Sequence, residues 1–321
     1  MRGSLLMLGL AGPELTPDEI SRITALQPAG FFLCARNLIA ADQTRRLTDS
    51  LRDLSRSHPL IAIAQPGGPA SPTGNFAPPL PAPAALAALA DSKTTGTAGL
   101  LTAELLRLLG INLNLAPTLD LDPPSACHWG RDPQRVIDHA GQWNRWLRKR
   151  GVASCAGRFP AADPSDATAT ELQRAELLPY TALMPELDAI QPSHATFPNL
   201  DLEFPACLSP RIIRRLLRDQ LVFDHHLVLT DAPGQAAITA HYGVGPAARL
   251  AIQAGNDVVL ITHRPDLAPI AATAIRMLSP LVLAEAWERV DRLRDKLHWP
   301  TPWSPATWQE IHGKLTAAGS P

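Results

Sequence analysis

The sequence predicts an α/β fold of the (β/α)8 TIM-barrel type, and three observations carry that prediction. Eight short apolar runs, several of them β-branched, recur along the chain, each ending in a polar or glycine turn. Segments with helix caps and apolar stripes lie between them, which implies parallel strands joined by right-handed crossovers. The pattern fills roughly 260 residues, the length of one such barrel.

In chain order the runs are LLMLGL (5–10), GFFLCAR (30–36), LIAIAQ (60–65), INLNLAP (111–117), VASCAGRF (152–159), AIQPSHA (189–195), LVLTDA (227–232) and DVVLITH (257–263). The opening MRGSLLMLGLAGPEL carries one arginine and a short apolar run. Gly9, Gly12 and Pro13 interrupt that run, so it reads as a first barrel strand rather than a signal peptide. In TPDEISRITAL, Thr16 is the expected N-cap, with Pro17 at the first helical position and Glu19 at the third. The stretch PASPTGNFAPPLPAPAALAALA (69–90) reads as a surface loop leading into an alanine-rich helix, not as a linker between domains. SPRIIRRLLRDQL repeats the capped pattern with Ser209, Pro210 and a stripe through Ile212, Leu216 and Leu217. From about 281 to 321 the chain reads as extra C-terminal helices, with Trp287, Trp303 and Trp308 expected to pack on the barrel. A doubly wound sheet would use fewer strands and often a phosphate-cradling turn, and no G-x-G-x-x-G or P-loop stands in the right context. Residues 1–321 therefore read as a single domain.

Composition narrows the function classes. At 45% hydrophobic residues the chain can supply one large core, and a net charge of -1 gives no electrostatic case for nucleic acid or an anionic membrane as partner. No apolar stretch is long enough to span a bilayer. Cys34, Cys127, Cys155 and Cys207 are far apart with no C-x-x-C pair, which argues for neither zinc nor a disulfide framework. A reducing cytoplasm is the expected location. His225 and His226 are neighbours that would point to opposite faces of a strand, so they read as a solvated turn rather than a shared metal site. No metal and no cofactor are expected.

In barrels of this type the chemistry sits at the C-terminal strand ends. That directs attention to Arg36–Asn37, Ala64–Pro69, Asp120–Asp122, Gly157–Asp166, His194, Asp231 and His263–Arg264. The stretches around these turns, MLGLAGPELTPDE, FFLCARN, GINLNLAPTLDLD, GVASCAGRFP, HATFPNLD, LSPRIIRRLLRDQLVFD, LTDA and AIQAGNDVVLI, run in one order along the chain. Together they resemble the bacterial β-N-acetylglucosaminidases (β-hexosaminidases) of glycoside hydrolase family 3, single-domain enzymes of cell-wall recycling. The resemblance extends essentially end to end. It implies hydrolysis of terminal N-acetylglucosamine by a retaining mechanism, in which an aspartate attacks the anomeric carbon. A histidine, held by an aspartate on a mobile loop, then serves as acid and base.

Carried over residue by residue, the resemblance implies a degenerate site. Thr230–Asp231–Ala232 matches the nucleophile motif, so Asp231 is in place, but Pro233, Gly234 and Gln235 depart from the residues that usually follow. The turn D-Q-E-G-G-R is matched by Ala64, Gln65, Pro66, Gly67, Gly68 and Pro69, leaving only Gln65 of its polar groups. K-H-F-P-G-H-G is matched by Gly157, Arg158, Phe159, Pro160, Ala161, Ala162 and Asp163. Arg158 keeps a positive charge there, but its planar fork is equivalent to neither imidazole nor ammonium. The mobile loop D-S-H is matched by Asp166–Ala167–Thr168, and a threonine hydroxyl at 168 cannot shuttle protons as imidazole does. In SACHWG (125–130), Ala126 and Cys127 replace the acidic and basic residues of G-D-R-S-F-G, and His128 is new.

Loss of a general acid/base typically costs about 10²–10⁴ in rate. The expectation is a barrel of this family whose sugar-gripping and acid/base groups are largely exchanged: catalytically impaired, or a non-catalytic binding protein. The alternative is an active retaining glycosidase acting on a β-linked amino sugar or altered glycoside, with Asp231 as nucleophile and Asp163 or Asp166 as replacement acid. The candidate partners are a carbohydrate or peptidoglycan fragment and a protein partner. Arg158, His194 and Gln65 are the substrate-binding candidates. Plainer roles stand beside these. Asp231 and Asp120 would hold strand-end turns, and His194 would hydrogen-bond at the barrel mouth. Arg36 and Asn37 would tie the rim, and His128, Trp129 and Arg131 would either form a new polar-aromatic contact for a different ligand or pack under their loop.

Overall fold

The computed structural model describes residues 3–89, 91–121, 126–160, 175–230 and 241–319. Asp163, Asp166, Thr168 and Asp231 lie outside the described residues. Eight parallel strands form one sheet in the order β7-β6-β5-β4-β3-β2-β1-β8. They are β1 (Ser4–Gly9), β2 (Pro28–Leu33), β3 (Leu60–Ile63), β4 (Leu113–Asn114), β5 (Ala153–Phe159), β6 (Ala189–Pro192), β7 (Leu227–Val228) and β8 (Val259–Ile261). A parallel bridge between Leu229 and Val258, with the Thr230 N–H donating to the Val258 carbonyl at 3.0 Å, joins the two edges and curls the sheet into a barrel. Helices cover the outside of the ring, so the strands are buried on both faces and read as near-continuous apolar runs.

All eight runs become strands, but several are shorter than the sequence implies. INLNLAP contributes only Leu113–Asn114 because asparagine side chains take over the ladder. Asn112 Oδ1 accepts from the Ile61 N–H at 2.7 Å, and Asn114 Oδ1 accepts from the Gln65 N–H at 2.9 Å. At β8, Thr230 Oγ1 does the same for the Leu260 N–H.

The flanking helices are α1 (Pro17–Leu26), α2 (Ala41–Asp53), α3 (Pro83–Ala87), α4 (Ser92–Leu108), α5 (Pro133–Lys149), α6 (Leu178–Leu183), α7 (Val244–Ala254) and α8 (Ala268–Arg276). The capping box of α1 forms as expected: Thr16 Oγ1 accepts from the Glu19 N–H, and Glu19 Oε2 accepts from the Thr16 N–H. Glu19 Oε1 also accepts from the Ala11 N–H, pinning the chain after β1 to the helix start. The α4 and α5 helices pack closely at Gly99, where a Cβ would stand 2.3 Å from the Trp143 carbonyl oxygen. The segment Arg211–Gln220 has π-type winding and follows its expected cap, with Ser209 Oγ accepting from the Ile212 N–H.

Two further helices, α9 (Pro280–Arg294) and α10 (Pro305–Gly319), form the C-terminal extension. Trp287 is buried, Trp303 and Trp308 are half-buried, and Ile311 and Leu315 join the core shared with the barrel strands. Among the described residues no helix is long and apolar enough to cross a membrane.

Candidate functional site

The C-terminal strand ends carry the polar side chains singled out above. On one side, Arg36 and Asn37 tie the rim. Arg36 Nε donates to the Leu10 carbonyl at 2.8 Å and Nη2 to that of Thr262 at 3.0 Å. Asn37 Nδ2 donates to the carbonyls of Leu10 and Gly12.

The turn after β3 keeps a glycine-dependent backbone. Gly67 and Gly68 have φ of 99° and 68°, a region that L side chains enter at a cost of roughly 1–2 kcal/mol. A Cβ on Gly68 would also stand 2.7 Å from that of Ala82. Gln65, the polar residue left in this turn, is 5% exposed and donates through Nε2 to Thr73 Oγ1 at 3.0 Å. Its backbone forms a reciprocal pair with Asn114, whose Nδ2 donates back to the Gln65 carbonyl at 3.0 Å. Among the described residues no hydrogen bond joins the Gln65 side chain to the cluster of Arg158, Asp120 and His128.

That cluster lies at the ends of β4 and β5. Arg158 sits on β5 with φ of 62°, a left-handed conformation for a residue with a Cβ. Its Nη1 donates to Asp120 Oδ2 at 3.3 Å and to His128 Nε2 at 3.4 Å. His128 Nδ1 stands 3.5 Å from the same aspartate oxygen. If Nε2 accepts from the guanidinium, the ring proton belongs on Nδ1, facing Asp120. Asp120 is 2% exposed and His128 1%, whereas the Arg158 side chain is 41% exposed. Asp120 Oδ1 is buried without a hydrogen-bond partner among the described residues.

Two features set the backbone beneath this cluster. The Thr118–Gly157 bridge continues the β4–β5 pairing past the end of β4, and Thr118 Oγ1 donates to the Cys127 carbonyl at 2.7 Å, drawing the His128 loop in. Behind β5, the buried Tyr180 of α6 donates its hydroxyl to the Gly157 carbonyl at 2.8 Å. Burial, together with the nearby carboxylates of Asp120 and Glu176, pushes the Tyr180 phenol well above its ordinary range and keeps it a neutral donor.

His194, just beyond β6, lies with Nδ1 3.2 Å from Cys207 Sγ. Trp129 is buried, with its ring centroid 6.4 Å from that of Trp143, and so packs inward as expected, whereas Arg131 is exposed rather than packed under the loop. His225 is exposed, but His226 is not part of a solvated turn. Its ring packs 4.6 Å from that of Phe223, and burial lowers its pKa to about 4. No group of three or more His, Cys, Asp or Glu among the described residues could hold a metal ion.

The cluster was only partly legible in the sequence. Asp120 and Arg158 stood out individually as strand-end residues. His128 read as loop packing, and nothing in its spacing signalled contact with residue 158. Chemically, the three groups make a hydrogen-bonded chain that holds Nη1 of the guanidinium and leaves the Nε–Nη2 edge without a hydrogen bond among the described residues. Such an edge can hold a carboxylate or a pair of acceptor oxygens.

Comparison with known proteins follows the same lines. The glycosyl hydrolase family 3 N terminal domain matches residues 5–293. The β-hexosaminidase of Pseudomonas aeruginosa (strain LESB58) is 30% identical over 99% of each chain. The structure of a glycoside hydrolase family 3 β-N-acetylglucosaminidase from Paenibacillus sp. str. FPU-7 superposes with a TM-score of 0.87 at 26% identity, covering 98% of this chain and 67% of that one. NagZ from Neisseria gonorrhoeae superposes with a TM-score of 0.84 at 24% identity, covering 99% and 98% of the two chains.

Proposed function

Because this chain belongs to glycosyl hydrolase family 3, we propose that its barrel acts on a terminal β-linked sugar, an amino sugar or altered glycoside, by a retaining mechanism. Asp231, which follows Thr230 at the end of the seventh run, is the nucleophile in this reading. It attacks the anomeric carbon, and the departing oxygen takes a proton from an acid, for which Asp163 and Asp166 are the candidates. Water then hydrolyses the glycosyl-enzyme. The observation that carries the reading is the polar cluster of Arg158, Asp120 and His128 at the strand ends where barrels of this type place their chemistry. The names of the similar proteins support a sugar as ligand, and a peptidoglycan fragment in the cytoplasm is the proposed setting.

A second reading, a non-catalytic binding protein for a carbohydrate or a protein partner, is favoured by one observation. Thr168 stands where the resemblance calls for the acid/base histidine. An activated 2-fluoro glycoside separates the two. In the first reading it attaches covalently to Asp231, as read by mass spectrometry of the digested protein, and Asp231→Asn abolishes attachment. Binding of the sugar without attachment, across a panel of activated 2-fluoro glycosides, selects the second.

A further inference from the structure

We propose that Arg158 is a specificity-determining residue that selects a sugar bearing a carboxylate. This rests on the reading of the C-terminal barrel face as a sugar site. Both protons of Nη1 are committed, one to Asp120 and one to His128. The remaining three N–H groups, on Nε and Nη2, have no protein partner among the described residues. Nε and Nη2 form the edge whose two parallel N–H bonds match a carboxylate bidentately. A sugar hydroxyl can satisfy one of them, not the pair.

The surroundings hold that edge in place. Asp120 and His128, the two partners of Nη1, are buried, while the arginine side chain is 41% exposed. At 3.3 Å the Asp120 contact is longer than the roughly 2.7–2.9 Å of a tight charge-assisted bond. The left-handed backbone at Arg158 costs energy that an unconstrained strand end would avoid, and strained residues of this kind gather at functional sites.

A carboxylate can come from the C5 substituent of a hexuronic acid or from a lactyl ether on an amino sugar. Methyl β-D-glucuronide and the methyl β-glycoside of N-acetylmuramic acid represent the two, with methyl β-D-glucoside as the neutral control. Each is titrated calorimetrically into the full chain, into Arg158→Lys and into Arg158→Gly. The glycine variant suits the backbone at φ of 62°, and circular dichroism confirms its fold. The expected result is that one of the two acids binds about tenfold or more tighter than the glucoside. That preference shrinks with Arg158→Lys and disappears with Arg158→Gly, and the acid that wins identifies the carboxylate source. Equal binding of the neutral glucoside, or a preference that survives Arg158→Gly, overturns the inference while leaving the sugar site intact. Failure of all three pyranosides to bind overturns both.

Discussion

Arg158 and Asp120 meet with Nη1 and Oδ2 3.3 Å apart, at the ends of neighbouring strands and 38 residues apart in sequence. The aspartate is buried and the arginine side chain is 41% exposed, so the contact ties a solvent-reaching charge to a buried one. Arg158 makes it from a left-handed backbone, with φ of 62°.

The first prediction isolates that backbone cost. Arg158→Ala and Arg158→Gly both leave Asp120 without its guanidinium, so the lost ion pair cancels in their difference. Glycine tolerates the left-handed conformation and alanine does not, so the glycine variant should be the more stable by about 1 kcal/mol. Urea denaturation of the two variants measures this directly. An alanine variant as stable as the glycine variant would mean that the backbone at 158 relaxes once the side chain is gone.

Behind the same strand, Tyr180→Phe should cost about 1–2 kcal/mol, because it leaves the Gly157 carbonyl without its buried donor. The wild-type phenol should also titrate above its ordinary range, since burial and the Asp120 and Glu176 carboxylates all oppose the phenolate. The folded pKa lies above the unfolded one, so this contribution is complete below about pH 10 and declines as pH rises beyond it. Absorbance titration of the phenolate band tests the shift. Ionisation of every tyrosine near pH 10 in folded protein would contradict it.

The ring of strands was readable in the sequence because a parallel barrel buries each strand on both faces, leaving uninterrupted runs such as LIAIAQ and DVVLITH. The cap at Thr16 was readable because its partners lie within three residues. Strand ends were less so: Asn112 and Asn114 look like ordinary polar residues until their side chains are seen to bond the backbone amides of Ile61 and Gln65 some fifty positions away. The same holds for His128, whose place beside Arg158 depends on the fold of a loop 30 residues earlier. His225 and His226 read together as a solvated turn, and only His225 is exposed. The packing of Phe223 beside His226 reveals the difference. Sequence periodicity reports burial along one element. Contacts between turns of different elements leave no such trace.

Asn114 provides the third prediction. Its side chain accepts from the Gln65 N–H and donates to the Gln65 carbonyl, closing a buried two-bond ring between the ends of β3 and β4. Asn114→Ala leaves a buried donor and a buried acceptor unmet together, at a cost of about 2–4 kcal/mol. Asn114→Asp keeps the acceptor but loses the donor and adds a buried charge, so it should be no better at neutral pH. Chemical denaturation of both variants reads the effect. A loss under 0.5 kcal/mol in each, on the order of a surface substitution, would show that the strand ends rearrange to bond elsewhere.

His226 sets an acid limb on stability. Burial is the main reason its pKa falls to about 4, with Lys296, His225 and Arg218 adding repulsion, while a bond to the Met184 carbonyl works the other way. Its folded pKa lies below the unfolded value near 6.5, so between the two the unfolded chain binds the extra proton. The stabilisation is therefore complete above about pH 6.5 and is lost as pH falls toward 4, amounting to about 1–3 kcal/mol across that window. His226→Gln removes the titration but keeps a hydrogen-bond donor. All other titrating groups are shared, so the difference in unfolding free energy between wild type and variant should favour the wild type most at pH 7 and shift toward the variant by pH 4. Parallel denaturation curves with no pH-dependent difference would place the His226 imidazole in contact with solvent.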